Sequence, residues 1–158
     1  MKVCLGGTFD HFHKGHQKLI STAFSIAGDN GMVFIGITKG NILSKKKDVS
    51  SYDKRKQNVL QFITQKKYSQ SFTIEPIFDK FGPAVTDDFD AIVVSSETYP
   101  TAKEINMNRI KTEKKPLEII QISLVLAQDK MPISSSRIRN KKITKEGKVL
   151  TKGYRSAV

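Results

Sequence analysis

The chain has 158 residues, a formal net charge of +12 and a single cysteine, Cys4. This length suits one compact domain over 1–158 that buries its own core. A lone cysteine excludes an internal disulfide and fits a reducing cytoplasm, and the apolar run around Cys4 predicts a buried, inert thiol. The apolar runs are too interrupted for a membrane span or a secretory signal, so the sequence predicts a soluble cytoplasmic protein.

The apolar pattern predicts five strands. They lie at 2–5, 32–38, 72–78, 91–96 and 117–125. The continuous β-branched run 32–38 is typical of a parallel strand that is covered on both faces. With helices between the strands, the pattern predicts an α/β fold with a doubly wound, mainly parallel five-stranded sheet. In such sheets, ligands bind beyond the carboxyl ends of the strands.

Helical spacing of apolar residues fills the connections between these strands. The first helix begins at Lys14 and is predicted to end in a left-handed C-cap within 28–31. Ser50 and Asp53 have the spacing of a capping box, which predicts the start of a second helix. Its buried face presents Val59, Leu60 and Ile63. A third helix is predicted over about 101–113.

The C-terminal part of the chain is strongly basic. Residues 130–158 hold nine lysines and arginines against Glu146 alone, and a basic helical segment is predicted over about 134–158. Its start, "ISSSRIR" at 133–139, places three hydroxyls at a predicted helix N-terminus. Such charge fits a solvated surface, phosphate contacts to nucleic acid, or a polyphosphate substrate drawn to a basic cleft.

All three histidines of the chain lie in "GGTFDHFHKGH" at 6–16, directly after the first predicted strand. The His-x-His-x-x-His spacing is that of metallo-β-lactamase-type hydrolases, but Gly15 stands where those proteins carry an aspartate. Zinc sites require three or four ligands, and no further histidine remains elsewhere in the chain. A simple three-histidine site stays an alternative.

The same stretch has the features of a phosphate site. Gly6 and Gly7 let the backbone pass close to a ligand, and Thr8 adds a hydroxyl. His13 and His16, three residues apart, lie on one side of the first helical turn. A helix N-terminus offers N–H groups and the positive end of its dipole to an anion. The sequence therefore predicts a phosphate-binding strand–helix junction here, with 133–139 as its second half.

These residues resemble a known family. The stretch at 6–16 resembles the T/HxGH signature of the nucleotidyltransferases, and 133–139 resembles their ISSTxxR motif, with Ser136 in place of threonine. The middle, "DKFGPAVTDDFDAIVVSSETYPTAKEIN" at 79–106, closely resembles the archaeal and eukaryotic type of pantetheine-phosphate adenylyltransferase. The likeness covers nearly the whole chain. Two departures are Thr101, where relatives usually have glycine, and Lys39-Gly40, where many carry an acid.

The resemblance implies a Rossmann-like nucleotidyltransferase fold and a reaction. ATP and 4′-phosphopantetheine would give dephospho-coenzyme A and pyrophosphate, the penultimate step of coenzyme A synthesis. The attacking phosphate is already ionised, so positioning and charge stabilisation suffice and no general base is required. Mg²⁺ would accompany ATP without a dedicated protein cage. The resemblance implies ATP and 4′-phosphopantetheine as partners, with no nucleic acid or membrane, and we expect a monomer or a weak oligomer.

The resemblance also implies roles for individual residues. The catalytic residues would be His13, His16 and Thr8. The ATP-binding residues would be Gly7, Thr8, Phe9, His13, His16, Tyr99, Asn106, Ser134, Ser135, Ser136 and Arg139. The phosphopantetheine-binding residues would be Thr8, Lys39, Lys46 and Arg109. His11 has no matching role.

Two other functions remain open at this point. A sister nucleotidyltransferase, such as nicotinamide mononucleotide adenylyltransferase or a cytidylyltransferase, shares the HxGH motif. From another class, the chain could be a basic nucleic-acid-binding module, although it has no recognisable platform of interleaved aromatic and basic residues.

Overall fold

A computed structural model describes residues 1–150 of the chain. Within them, strands and helices alternate as predicted. The strands are β1 (Lys2–Gly7), β2 (Met32–Thr38), β3 (Ser71–Ile77), β4 (Ala91–Val94) and β5 (Glu118–Gln121). The helices are α1 (Lys14–Ala27), α2 (Tyr52–Lys66), α3 (Tyr99–Lys111) and the short α4 (Ser135–Arg139), with 3₁₀ turns at Gly40–Leu43 and Gly82–Ala84.

The five strands form one parallel sheet in the order β3-β2-β1-β4-β5. The prediction of a doubly wound, mainly parallel five-stranded sheet is confirmed. The strand order reverses between β1 and β4, because the chain first winds outward to β3 and then returns to the other side of β1. The carboxyl ends of β1 and β4 therefore flank the switch point at which ligands bind in such sheets.

Both faces of the sheet are covered. Alternate residues of a strand point to opposite faces, so Val3 packs with α1 and α2 while its neighbour Cys4 packs with α3. The predicted burial of Cys4 is confirmed, and that burial raises the pKa of its thiol to about 12. No helix in residues 1–150 combines the length and the apolar character that a membrane span needs.

The second helix starts one residue later than predicted. Ser51, not Ser50, is its N-cap and accepts a hydrogen bond from the backbone N–H of Lys54. Ser50 instead donates its own backbone N–H to the carboxylate of Asp10, 40 residues earlier in the chain. The predicted capping box of Ser50 and Asp53 is therefore wrong, because a contact from another element takes the backbone of Ser50. Val59 and Ile63 are buried as predicted, and Leu60 is half-buried.

Three further boundaries differ from the sequence predictions. After α1, Gly28 has a positive φ of 79° with an extended ψ of 175°, not the left-handed helical C-cap predicted within 28–31. The strand β5 ends at Gln121 instead of 125, because its neighbour β4 ends at the opposite residue, Val94. The basic segment from 134 is helical over Ser135–Arg139 only, and residues 151–158 of that prediction lie outside the described residues.

The chain after α4 reverses direction instead of continuing as a helix. Lys141 has a positive φ of 58°, and Gly147 has one of 87°, so two residues turn the backbone. Ile143 and Val149 then pair in an antiparallel bridge. The fully buried Ile143 packs with Ala127 and Ile133 in a small separate core. This packing ties the segment down beside α4.

Candidate active site

The loop between β1 and α1 ends in a capping box made of two histidines. His13 is the N-cap of α1, and its Nδ1 accepts the backbone N–H of Gly15 at 3.0 Å. In return, Nδ1 of His16 accepts the backbone N–H of His13 at 3.2 Å. In the usual capping box, Ser or Thr is the N-cap and Glu or Gln is the third helical residue. Here histidine occupies both positions. Two of the unpaired N–H groups at the helix start are satisfied by the site residues themselves.

This capping fixes the protonation of both rings. An Nδ1 that accepts a hydrogen bond carries no proton, so each neutral ring holds its proton on Nε2. The two rings stack with centroids 3.7 Å apart. Burial lowers the pKa of His13 to about 4, with a contribution from His11, and lowers the pKa of His16 to about 3, with a contribution from His13. At neutral pH both side chains are uncharged and offer an Nε2–H donor.

The neighbouring residues hold the two rings in place. A Cβ at Gly15 would lie 2.9 Å from Cε1 of His13, so any side chain there displaces the ring. Phe12 stacks on His16 at 5.6 Å between centroids, and Phe9 meets it at 5.3 Å. Phe9 is 1% exposed and belongs to the core. The ring of Phe9 therefore packs beneath the site and supports it, and the predicted ATP contact of this residue stays a prediction.

Thr8 is a meeting point of three elements. Its hydroxyl accepts a hydrogen bond from Thr38, at the end of β2, at 3.1 Å, and one from Nζ of Lys46 at 2.9 Å. Lys39, the other lysine predicted for this place, has its Nζ 5.0 Å from the centre of the Tyr52 ring. Of the two lysines, the structure brings Lys46 to Thr8. Gly7 ends β1 immediately before it.

The helix α4 docks on the same loop through Asp10. The hydroxyl of Ser135 donates to the backbone carbonyl of Asp10 at 2.5 Å, and Nη2 of Arg139 lies 3.1 Å from its carboxylate. Although burial raises it, hydrogen bonds from Ser50 and Arg139 hold the pKa of the Asp10 carboxyl below its ordinary value. Ser134 caps α4 by accepting the N–H of Arg137, and Ser136 is exposed in the same helix. The two predicted phosphate stretches thus lie together although 116 residues of the chain separate them.

Two predicted site residues lie elsewhere. Both ends of the Asn106 amide are occupied by the backbone of Leu117, at 2.9 and 2.7 Å. Arg109 is 3% exposed and donates to the carbonyls of Lys115, Ala84 and Asp87. The nucleotide role of Asn106 and the phosphopantetheine role of Arg109 are corrected to structural roles, because α3 carries both away from the carboxyl ends of the strands. Tyr99, at the start of α3, stays near that edge and is 37% exposed.

A cleft of about 780 Å³ lies at the opposite, amino-terminal edge of the sheet. It is lined by Lys2, Asp88, Asp90, Arg109, Glu113 and Lys115, among others. Acidic and basic groups are mixed there, and Arg109 is the one predicted site residue that lines it. The stretches predicted to bind phosphate, 6–16 and 133–139, lie at the other edge.

Comparisons with known proteins identify relatives of this chain. The family model of cytidylyltransferase-like proteins matches residues 4–141. A phosphopantetheine adenylyltransferase of Methanosarcina barkeri is 46% identical over 94% of this chain and 92% of its own length. One from Methanosarcina acetivorans is 44% identical, over 94% and 95%. The chain belongs to the phosphopantetheine adenylyltransferase family. It is a nucleotidyltransferase, as its sequence motifs predicted.

Solved structures show the same fold. A protein of unknown function from Archaeoglobus fulgidus is 34% identical, with a TM-score of 0.69 over 77% of this chain and 89% of that one. A pantoate-β-alanine ligase from Francisella tularensis has a TM-score of 0.57 over 91% of this chain and 66% of its own. At 16% identity the ligase shares the fold alone.

The metal alternative for the three histidines finds no geometric support. Nδ1 of His13 and Nδ1 of His16 both accept backbone hydrogen bonds, which leaves each ring a protonated Nε2. Within residues 1–150, no cluster of three or more His, Cys, Asp or Glu side chains is arranged to hold an ion. The carboxylate nearest the rings, Asp10, is engaged by Ser50 and Arg139. The residues at this family's site therefore do not fit a metal cage.

Sequence reasoning missed three residues of this site. Asp10 joins α4 to the loop, Thr38 meets the Thr8 hydroxyl, and the buried Arg55 donates to the backbone carbonyls of both threonines. A signal existed for Arg55, which lies four residues before Val59 and so shares the buried stripe of α2. For Thr38 the sequence held no comparable signal, because its partner is 30 residues away.

Proposed function

We propose that this protein transfers the adenylyl group of ATP to 4′-phosphopantetheine, giving dephospho-coenzyme A and pyrophosphate. An oxygen of the pantetheine phosphate attacks the α-phosphorus of ATP, and the bond from that phosphorus to the bridging oxygen of pyrophosphate breaks. The family supports this reaction, since the curated relatives are named for it. The observation that carries it is the neutral histidine pair of His13 and His16, two Nε2–H donors fixed at a helix N-terminus.

The histidine pair suits stabilisation of charge at the α-phosphorus. A neutral imidazole is a donor without being an acid, and an ionised phosphate nucleophile has no proton to give up. The rings are held by the backbone of their own helix, so they need no reorganisation when charge develops. The positive end of the α1 dipole acts in the same direction.

The remaining polar groups of the site suit the phosphates of the two substrates. Lys46 and Thr8 lie together beyond β1 and β2, where they would receive the phosphate of 4′-phosphopantetheine. The α4 serines and Arg139 would bind the β- and γ-phosphates of ATP. Nε of Arg139 is buried and has no hydrogen-bond partner within the described residues, an arrangement that a bound anion would complete. Mg²⁺ would enter as part of the Mg·ATP substrate.

The deciding experiment is product formation by the purified chain. Incubation with Mg·ATP and, separately, 4′-phosphopantetheine, nicotinamide mononucleotide and glycerol phosphate should give a new adenylylated product with the first alone, measured by mass spectrometry. Turnover with nicotinamide mononucleotide instead would establish the sister activity. An affinity for RNA that is salt-sensitive and exceeds that for ATP would favour the nucleic-acid-binding alternative.

The site is built from one chain, which supports action as a monomer or weak oligomer. A cytoplasmic location fits the single free cysteine, Cys4. Histidines, threonines, Lys46 and α4 are all supplied by residues 1–150 of the same molecule. Sedimentation of the active chain at assay concentration should then give a mass near 17.7 kDa. Activity confined to a stable higher oligomer would contradict this.

A further inference from the structure

Arg55 is a fully charged side chain in the core. It lies in the first turn of α2 and is 2% exposed, although arginine is almost never buried without an anionic partner. Within residues 1–150 its guanidinium forms no ion pair. It donates to three backbone carbonyls instead: Nε to Ser50 at 2.9 Å, and Nη1 to Thr8 at 3.0 Å and to Thr38 at 2.8 Å. These charge-assisted bonds offset the cost of burying the cation.

The three carbonyls belong to the elements that build the site. Thr8 follows β1, Thr38 ends β2, and Ser50 precedes α2. One nitrogen, Nη1, bridges the ends of the two strands, and so sets the separation of their backbones. The hydroxyls of the same two threonines meet at 3.1 Å, and Lys46 reaches the Thr8 hydroxyl from the loop between β2 and α2. Arg55 therefore lies behind the threonine pair and joins every backbone segment that supports it.

We propose that Arg55 is a positioning residue for the transfer step. Its planar fork holds the backbone of Thr8 so that the hydroxyl of Thr8 and the Nζ of Lys46 meet the incoming phosphate in one geometry. The proposal rests on the adenylyl transfer proposed above. Lysine at this position would keep the charge but lose the fork, because one ammonium group cannot hold the same fixed geometry to Ser50, Thr8 and Thr38. The fork, not the charge alone, carries the role.

The chain supplies a matched control in Arg109. That residue is also buried, at 3%, and also donates Nε to one carbonyl and Nη1 to two. Its partners are Lys115, Ala84 and Asp87, and together with Lys115 it lines the cleft at the other edge of the sheet from Thr8. The variant R109K therefore removes a similar set of bonds and a similar share of stability while leaving the threonine pair untouched. A fall in kcat that occurs in R55K and not in R109K would therefore come from lost positioning of Thr8 and not from lost stability.

The test compares R55K and R109K as full chains, assayed well below both melting temperatures, with Mg·ATP and 4′-phosphopantetheine each varied in turn while the other is saturating. We expect kcat of R55K to fall about 10-fold or more while KM for ATP changes less than about twofold, and kcat of R109K to stay near that of the wild type. Equal losses in the two variants would overturn the proposal. If R55K fails to fold, R55Q replaces it with the same expected results.

A double-mutant cycle with Thr8→Val shows whether Arg55 acts through Thr8. In the T8V background, R55K should lower kcat about twofold or less, because the hydroxyl that Arg55 positions is already absent. An undiminished effect of R55K in that background would overturn the proposal while leaving the adenylyl transfer intact. A wild-type chain that forms no dephospho-coenzyme A would overturn the proposed function and this role with it.

Discussion

At the scale of the residue, the site is organised by side chains that hold one another. His13 and His16 bond to the backbone of each other's turn, and Gly15 leaves the space that the His13 ring fills. The HxGH spacing is therefore a structural requirement of this turn, whatever chemistry the rings perform. A ring that caps its helix through Nδ1 must present Nε2–H, and that fixes its role as a donor.

The variant His16→Gln separates capping from catalysis. Glutamine is the usual third residue of a capping box, so its side-chain oxygen can still accept the N–H of His13. It lacks the imidazole Nε2–H, and we expect kcat to fall by about two orders of magnitude or more with KM for ATP little changed. Steady-state rates measure the loss of kcat, and a melting curve shows whether the helix cap is retained. His11→Gln is the control, and a variant H16Q that keeps kcat but loses ATP affinity would contradict the assigned role.

The variant Lys46→Ala tests which lysine meets the pantetheine phosphate. Because Nζ of Lys46 lies 2.9 Å from the Thr8 hydroxyl, its loss should raise KM for 4′-phosphopantetheine about 10-fold. Lys47→Ala, which removes the same charge from the next exposed residue, should change KM less than about twofold. Initial rates at saturating ATP measure both. Equal effects would mean that net basic charge, not a placed ammonium group, attracts the substrate.

At the scale of the element, the apolar pattern predicted the strands and the long helices, but it did not predict the connections between them. The sheet is confirmed because parallel buried strands read as continuous β-branched runs. The misplaced start of α2 has a different cause: Asp10 takes the N–H of Ser50, and no local pattern shows that. Likewise, α4 is short because Lys141 and Gly147 turn the chain toward an antiparallel bridge.

The docking of α4 makes Arg139 a test of that element. Arg139→Ala removes a guanidinium that pairs with Asp10 and retains a buried Nε without a partner within residues 1–150. Loss of charge-assisted bonds to the ATP phosphates should raise KM for ATP about 10-fold or more, with kcat less affected. Lys142→Ala, an exposed residue beside the helix, is the matched control. Initial rates at varied ATP concentration measure this KM. A KM for ATP in R139A that is no higher than in K142A would contradict the contact.

At the scale of the whole molecule, the buried neutral histidines couple the site to stability. The ordinary histidine pKa is 6.5, and burial lowers it to about 4 in His13 and about 3 in His16. Between these values and 6.5, the unfolded chain binds protons that the native chain excludes. Stability therefore rises with pH across this window and falls as the solution is acidified from 6.5.

This linkage predicts a measurable loss in mild acid. From pH 6.5 to pH 5.0, each histidine should remove on the order of 1.5 kcal/mol from the free energy of unfolding, about 3 kcal/mol for the pair. Urea denaturation at several pH values measures the slope. In H16Q the slope should fall by about half. A free energy of unfolding that is flat over this range would show that the rings protonate freely in the native state.

The sequence by itself determined the α/β sheet, the family and the partnership of the junction at 6–16 with 133–139, and it predicted phosphate binding there. These follow from short-range patterns: strand composition, glycine spacing and the residues at two helix starts. The tertiary structure decided which basic residues serve the site. Lys46 reaches Thr8, while Arg109 is bound to carbonyls at the other edge and Asn106 to Leu117. It also revealed the roles of Asp10 and Arg55. Their partners are distant in sequence and come together only in the folded chain, so no local pattern indicates these contacts.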